Sequence, residues 1–403
     1  MKNGWKTKPL ADLCEVFADG DWIESKDQSP EGIRLIQTGN VGEGVFKDRG
    51  EKARYISEGT FKRLRCAEIF EGDCLISRLP DPAGRSCLLP DTGERMITAV
   101  DCTIVRFNPK QALPEFFNYY SQSRDYLSAV DGETTGTTRK RISRNKLAQT
   151  LIPVPPLPEQ QRIVGLLDEA FEGIATAKAN AEKNLRNARA LFESHLHSVF
   201  ANAWRTSELV RLSDVASDIT DGDHLPPPKS PTGVPFITIG NIVKETRKID
   251  FADTFMVPRA YFNGLKANKR PKKGDVLYTV TGSFGIPVIV RESVEFCFQR
   301  HIGLIRPKSE TSSAWLYYLL LSPQVFKQAN DGATGAAQKT VSLKLLRSFE
   351  VPKVTLKQQQ EAVTKLDTLS AETQRLASIY QQKLAALEAL KKSLLHQAFT
   401  GAL

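Results

Sequence analysis

Two stretches of the chain place apolar residues at a 4-3-4-3 spacing, the pattern of a stripe along one face of a helix. In the first stretch the positions are Ile163, Leu167, Ala170, Ile174, Ala177 and Ala181; in the second they are Ala362, Leu366, Leu369, Thr373, Leu376 and Tyr380. Both stripes then step by four again, to Leu185 and Leu384, a stutter at the same place in each. The shared stutter predicts that the two stripes face each other along one helical rod. The pairing is antiparallel if the two halves are related by a pseudo-two-fold axis. The alternative is two separate amphipathic helices, each packed on its own globular half. Each helix is expected at about 43 residues, roughly 65 Å at 1.5 Å per residue.

Ahead of each helix the texture is β-like. DCLIS and VLYTV are short branched or aromatic runs behind Gly-Asp turns, with Gly and Pro as frequent punctuation. One short helix is expected over 115–130 and its counterpart over 314–329. The two halves match in order along the chain. PLADLCEVFADGD (9–21) pairs with RLSDVASDITDGD (211–223), GIRLIQTGNV (32–41) with GVPFITIGNI (233–242), and EGDCLISR (71–78) with KGDVLYTV (273–280). VRFNP (105–109) pairs with IRPKS (305–309), FFNYYSQS (116–123) with LYYLLLSP (316–323), GETTGTTRKRIS (132–143) with GATGAAQKTVS (332–342), and LFESHLHSVF (191–200) with LKKSLLHQAF (390–399). The chain is a tandem duplication. Each long helix also opens on the same device, PLPEQQ in one half and TLKQQQ in the other. Pro158 suits a first turn, where no backbone donor is lost, and Glu159 complements the helix dipole.

At 403 residues more than one domain is expected, and 41% apolar with 25% charged residues is ordinary for a folded chain. The N-terminus MKNGWKTKPL lacks the apolar run of a secretory signal, and WLYYLLL (315–321) is far too short to span a membrane, so a cytoplasmic protein without membrane contact is expected. Six cysteines show no CxxC pair, which favours reduced, buried thiols over a metal site. A net charge of +9 allows a polyanionic partner without demanding one. Chemistry of its own is not indicated: there is no phosphate-cradling GxxxxGK[ST] loop, no methyl-donor turn, no N/D-P-P-aromatic motif and no nuclease-like Glu-x-Lys beside Asp73 or Asp275, which turn chemistry explains better.

IPVPPLPEQQRIVGLLD (152–168), supported by ITDGDHLPPP (219–228), GDVLYTVTGSFG (274–285) and GATGAAQKTVS (332–342), resembles the DNA-specificity subunits of type I restriction-modification systems. The resemblance runs the whole chain. It departs from the pattern at VPKVTLKQQQ, which lacks the proline-rich run, and at RLPDPAGRS (78–86), which stands where the second half has TGSFG. It implies an α+β protein with two mixed α/β target-recognition domains, 1–152 and 204–351, joined by two long antiparallel coiled-coil spacer helices, 153–203 and 352–403. Such a chain is a non-catalytic subunit that reads a split, asymmetric site on double-stranded DNA. Its partners would be a methyltransferase subunit in two copies, which holds the S-adenosylmethionine, and a motor-nuclease subunit. No cofactor is bound by the chain itself. A rod of this length would keep both half-sites within about 19 base pairs. A coiled-coil adaptor that never touches DNA is the rival reading.

Readout needs forked or amide side chains on loops, with cations for the phosphates. The leading candidates are the two Gly/Thr-rich loops with basic exits: Arg139, Lys140 and Arg141 in the first, Gln338 and Lys339 in the second. Each competes with a plain surface loop. Thr281 and Ser283 in TVTGSFG, and His224 in DGDHLPP, are further candidates, against a structural hairpin and a structural turn. Arg78, Arg85, Lys229 and Lys26 are candidate phosphate clamps, whereas Asn40 and Asn241 fit turns better. Ile163, Leu167, Ile174, Leu366, Leu369, Leu376 and Tyr380 are expected to pair the helices and dock the methyltransferase, so aspartate at Leu167 and Leu366 would abolish assembly.

Overall fold

The computed structural model describes residues 5–403 apart from 138, 226, 292 and 337. Two compact units emerge, and both are discontinuous in sequence or share a helix with the other: residues 1–182 with 382–403, and residues 183–381. Each is a mixed α/β body built to the same plan. In the first, Lys6–Pro9 pairs with Leu151–Val154, and an antiparallel sheet runs in the order Cys14–Asp19, Cys102–Phe107, Cys74–Ser77, Ser86–Leu88. In the second, Leu209–Arg211 pairs with Glu350–Pro352, and the sheet runs Ala216–Asp221, Ile302–Pro307, Val276–Thr279, Pro287–Ile289. A second sheet in each unit holds one parallel pair: Ile33–Ile36 beside Met96–Thr98, and Val234–Ile237 beside Cys297–Phe298.

The short helix expected over 115–130 is two helices, Pro114–Tyr120 and Arg124–Gly132, and its counterpart is likewise split into Ser313–Leu321 and Pro323–Gly332. Serine makes the break. The side chain of Ser123 accepts the Tyr126 N–H, and that of Ser322 accepts the Val325 N–H, so each starts a new helix. Pro323 adds a missing donor at the same point.

The long helices span Leu157–Thr206 and Leu356–Thr400, 50 and 45 residues. Each begins about four residues later than expected, because the strand that precedes it runs through the linker prolines. The second linker replaces the missing prolines with a capping box: Thr355 Oγ1 accepts from the Gln358 N–H, and Gln358 Oε1 accepts from the Thr355 N–H.

The repeated glutamine has a definite task. Gln160 is fully buried; its Nε2 donates to Gln111 O (3.0 Å) and Pro155 O (2.9 Å), and its Oε1 accepts from Leu113 N (2.9 Å). Gln359 makes the same three bonds, to Glu310 O, Val354 O and Ser312 N. About two turns on, Tyr119 donates to Asp168 and Tyr318 to Asp367. These side chains fix each helix to the domain before it. Gln160→Leu should lower the urea midpoint of the first unit, at about 1–3 kcal/mol for each buried group left unpaired.

Every position of the two stripes is buried or half-buried, including Leu185 and Leu384. In the first unit Ile163 and Leu167 share a core with Leu395, Ala398 and Phe399, and Lys178 pairs with Glu388 at 2.7 Å. In the second, Leu196, Phe200 and Ala203 share a core with Val363 and Leu366. The start of one helix therefore packs with the end of the other, which is antiparallel. Each core also takes in the domain's own aromatics, Phe116, Phe117 and Tyr126 in one unit and Trp315 and Tyr318 in the other. Leu167 and Leu366 are 1% and 0% exposed. They are core residues, so aspartate there would unfold a unit rather than report on docking.

All six cysteines are free thiols, five of them buried. Burial pushes Cys14 and Cys87 up to about 12 and Cys66 and Cys102 up to about 11, so they are inert at neutral pH. Among the described residues no helix is long and apolar enough to cross a membrane.

Candidate nucleic-acid interface

Loops from the far ends of the main sheet line up along one edge of each unit. In the first unit the row is held by main-chain bonds: Val100 N to Asp21 O, Arg78 N to Asp101 O, Ile142 N to Arg78 O, and a reciprocal pair between Thr135 and Arg141. In the second the same row reads Arg300 N to Asp223 O, Val280 N to His301 O, Val341 N to Val280 O, and a reciprocal pair between Thr334 and Thr340. The outermost member is a tight hairpin in both. Gly136 (φ 103°) and Gly335 (φ 113°) occupy the left-handed region at its turn. A Cβ there would lie 2.7 Å from Arg139 O or 2.4 Å from Gln338 O, so glycine is required by the turn itself.

The hairpins carry the leading candidates outward. Arg139 is exposed and has no polar partner among the described residues. Lys140 reaches Asp131 at 3.1 Å, and Lys339 reaches Asn330 at 3.1 Å, the equivalent contact. Arg141 sits 3.0 Å from Asp101. In the second unit Gly282 N donates to Lys339 O, which brings the TVTGSFG loop against the hairpin and gathers Ser283, Gln338 and Lys339 into one patch. Thr281 joins it by main chain, but its side chain is 6% exposed and turned toward the Thr340 hydroxyl. His224 is exposed at the end of the same row, 2.9 Å from Asp221.

Other candidates go elsewhere. Arg78 and Arg85 are 3% and 9% exposed. The Arg85 guanidinium donates to the carbonyls of Val41, Leu79, Pro82 and Thr38, so it braces the remodelled 78–86 loop and has no face left for a phosphate. Arg78 donates to Val100 O and lies 3.2 Å from Asp19. Lys26 pairs with Glu24 at 2.7 Å, and Lys229 lies over the Phe255 ring; both stand on other loops. Asn40 and Asn241 close turns, accepting from Gln37 N and Thr238 N. Asp73 and Asp275 accept turn N–H groups and bind Arg106 and Arg306 in matching ion pairs.

Sequence reasoning missed Arg300 and His301, which follow Gln299 at the edge of the second unit. Arg300 is exposed, while burial and the Arg300 charge hold the His301 imidazole below its ordinary range. No motif marks them; aligning the strand ends of the two repeats would have put them opposite Val100 and Asp101. Among the described residues no group of His, Cys, Asp or Glu is placed to hold a metal ion.

The family described as the type I restriction modification DNA specificity domain matches the chain twice, over residues 2–185 and 205–387. The chain is 24% identical over 311 residues to the specificity subunit of the type I restriction enzyme EcoBI of Escherichia coli, a match covering 71% of this chain and 65% of that one. It is 22% identical over 322 residues to the MjaVIII specificity subunit of Methanocaldococcus jannaschii, covering 74% and 73%. In fold it is similar to a chain from a structure of type I R-M system assembly and conformational transition (TM-score 0.81, 21% identity, 100% and 99% covered). It is also similar to the HsdS subunit of Thermoanaerobacter tengcongensis (TM-score 0.63, 20% identity, 100% and 98% covered).

Proposed function

The chain belongs to the type I restriction modification DNA specificity family, and from that premise we propose that it is the address-reading subunit of a type I restriction-modification complex. It binds double-stranded DNA and contributes no catalytic group. Each unit reads one half of a split site through its loop row. The observation that carries this reading is one scaffold used twice with different side chains on the same row: Arg139, Lys140 and Arg141 in one unit, Gln338, Lys339 and Thr340 in the other. Two identical rows would suit a palindrome, whereas two unlike rows suit an asymmetric target. Arg139, Lys140 and Lys339 serve phosphates, Gln338 and Ser283 face base edges or sugar, and His224 lies at the margin.

Adenine methylation of a duplex requires the base to be flipped into an enzyme pocket. That pocket, and the S-adenosylmethionine, lie on a partner methyltransferase, which binds in two copies; a motor-nuclease partner joins when the complex cleaves. The assembly works in the cytoplasm. Docking uses exposed apolar positions on the long helices rather than the buried stripe. Leu191 and Leu390 occupy equivalent repeat positions and are 53% and 46% exposed. Aspartate at both should abolish co-purification of the methyltransferase while the thermal transition of the chain stays within a few degrees, since neither residue is in a core.

Methylome sequencing of cells carrying the methyltransferase, with and without this chain, tests the reading. A split, asymmetric methylated motif that vanishes with the chain is the expected result. An unchanged methylome despite a stable complex would replace the reading with a helical adaptor that never reads DNA.

A further inference from the structure

Three adjacent positions of the loop row differ together between the two repeats. The first unit has Arg78, Asp101 and Arg141 where the second has Val280, His301 and Thr340, and the main-chain bonds that join the three positions are the same in both. The scaffold does not need an arginine at the middle position, since valine fills it in the second unit, where it is 4% exposed. A guanidinium buried there costs free energy unless its charge is matched. In the first unit it is matched in part: Arg78 donates to Val100 O at 2.5 Å, lies 3.2 Å from Asp19, and gives its own N–H to Asp101 O at 2.9 Å, while its Nε has no hydrogen-bond partner among the described residues. It is a strut that fixes the Val100–Asp101 corner. Arg144, 3.7 Å from Asp19, completes the set.

What the corner holds is Arg141. Its main chain is pinned in the hairpin by Thr135, and its Nη2 lies 3.0 Å from Asp101 Oδ1. The Arg141 side chain nevertheless remains 44% exposed. Among the described residues Arg139 has no partner to hold it, and Lys140 is tied only to the exposed Asp131. Arg141 is therefore the cation of this hairpin that is both presented to solvent and held beside a carboxylate, in an ion pair that lacks an aligned hydrogen bond. A guanidinium has five donors, and a single contact to Asp101 leaves enough for a second, parallel pair. Parallel donors are what the O6 and N7 acceptors of guanine demand, and a fork held still loses less freedom on binding than a free one.

We infer that Arg141, positioned by Asp101 and Arg78, reads a guanine in the half-site of the first unit, and that the second unit lacks this contact. The inference rests on the DNA-reading function proposed above. It distinguishes Arg141 from its neighbours Arg139 and Lys140, which touch phosphate.

Selection of bound sequences from a randomised 30-base-pair duplex pool by the full-length chain, followed by titration of the winning duplex and its single-base variants, tests it. Arg141→Ala should erase preference for one G·C pair, about 10- to 100-fold in the starting protein, and leave the other half-site untouched. Arg141→Lys, which keeps the charge but not the fork, should lose the same preference while affinity for the single-base variants and the salt slope hold. Asp101→Asn should weaken that preference about tenfold, and add nothing when combined with Arg141→Ala. The unchanged second half-site is the internal control for folding. Uniform weakening on every duplex with a salt slope lower by about 1 would make Arg141 a phosphate contact and overturn the inference. So would a full preference surviving in Asp101→Asn. A starting protein that selects no sequence at all would instead overturn the DNA-reading function itself.

Discussion

Alanine at Arg139, Lys140 and Lys339 together should weaken binding of the full chain to any duplex about 100-fold near 0.15 M salt, cognate and non-cognate alike. The size follows from counterion release. Each phosphate neutralised contributes about 0.9 to the slope of log affinity against log salt, so three contacts contribute nearly 3, which vanishes at 1 M salt and reaches about two powers of ten at 0.15 M. The existing partners do not compete. Lys140 and Asp131 are 57% and 65% exposed, and an ion pair that open contributes little and is readily exchanged for a phosphate. Lys339 holds only a neutral amide, and Arg139 holds nothing among the described residues. Fluorescence anisotropy over a salt series gives the slope directly. A slope that does not change in the triple variant would place the backbone contacts elsewhere, and Arg300 would then be the next cation to replace.

How far the sequence carries this picture depends on the range of each interaction. The helical stripe was legible because every contact it encodes recurs within one helix, so burial follows spacing from Ile163 to Leu185 and from Ala362 to Leu384. The paired glutamines were visible as a repeat but not as clamps. Gln160 and Gln359 bond to chain 47–49 residues away, and no local pattern announces that. Arg78 and Arg85 misled for a related reason. Charge suggests the surface, and only the fold reveals that one guanidinium is filled by carbonyls and the other is a buried strut. The loop row itself is assembled from four separated segments. Its hairpins announced themselves through Gly and Thr, whereas Asp101 and His301 sit at strand ends with no local mark. The split of the counterpart helix over 314–329 was within reach, since Ser-Pro at 322–323 is a helix start.

Phe399→Ala should destabilise the first unit by about 3–5 kcal/mol, and Phe200→Ala should do the same to the second. The two residues are equivalent in the repeat; Phe399 closes a core from the opposite end of the sequence, and Phe200 closes one from the helix that precedes the rest of its unit. Phe399 is 3% exposed and packs edge-on against Phe116 (5.4 Å) and Tyr120 (5.1 Å). Phe200 is fully buried against Trp315 (4.8 Å) and Trp204 (6.1 Å). Truncation to alanine leaves a ring-sized cavity walled by aromatics, which cannot collapse without moving the helix that carries the site. Hydrogen exchange separates the two cases. Phe399→Ala should accelerate amides of the strands between Lys6 and Val154, although the substitution lies about 250 residues downstream, and leave those between Leu209 and Pro352 protected. Phe200→Ala should reverse the pattern. Equal loss of protection in both regions would mean that the units unfold as one cooperative body. Unchanged protection between Lys6 and Val154 would mean that the end of the C-terminal helix is not part of that core. The expected pattern makes each reading unit depend on a helix supplied by the other repeat, so neither half of the duplication completes its core alone.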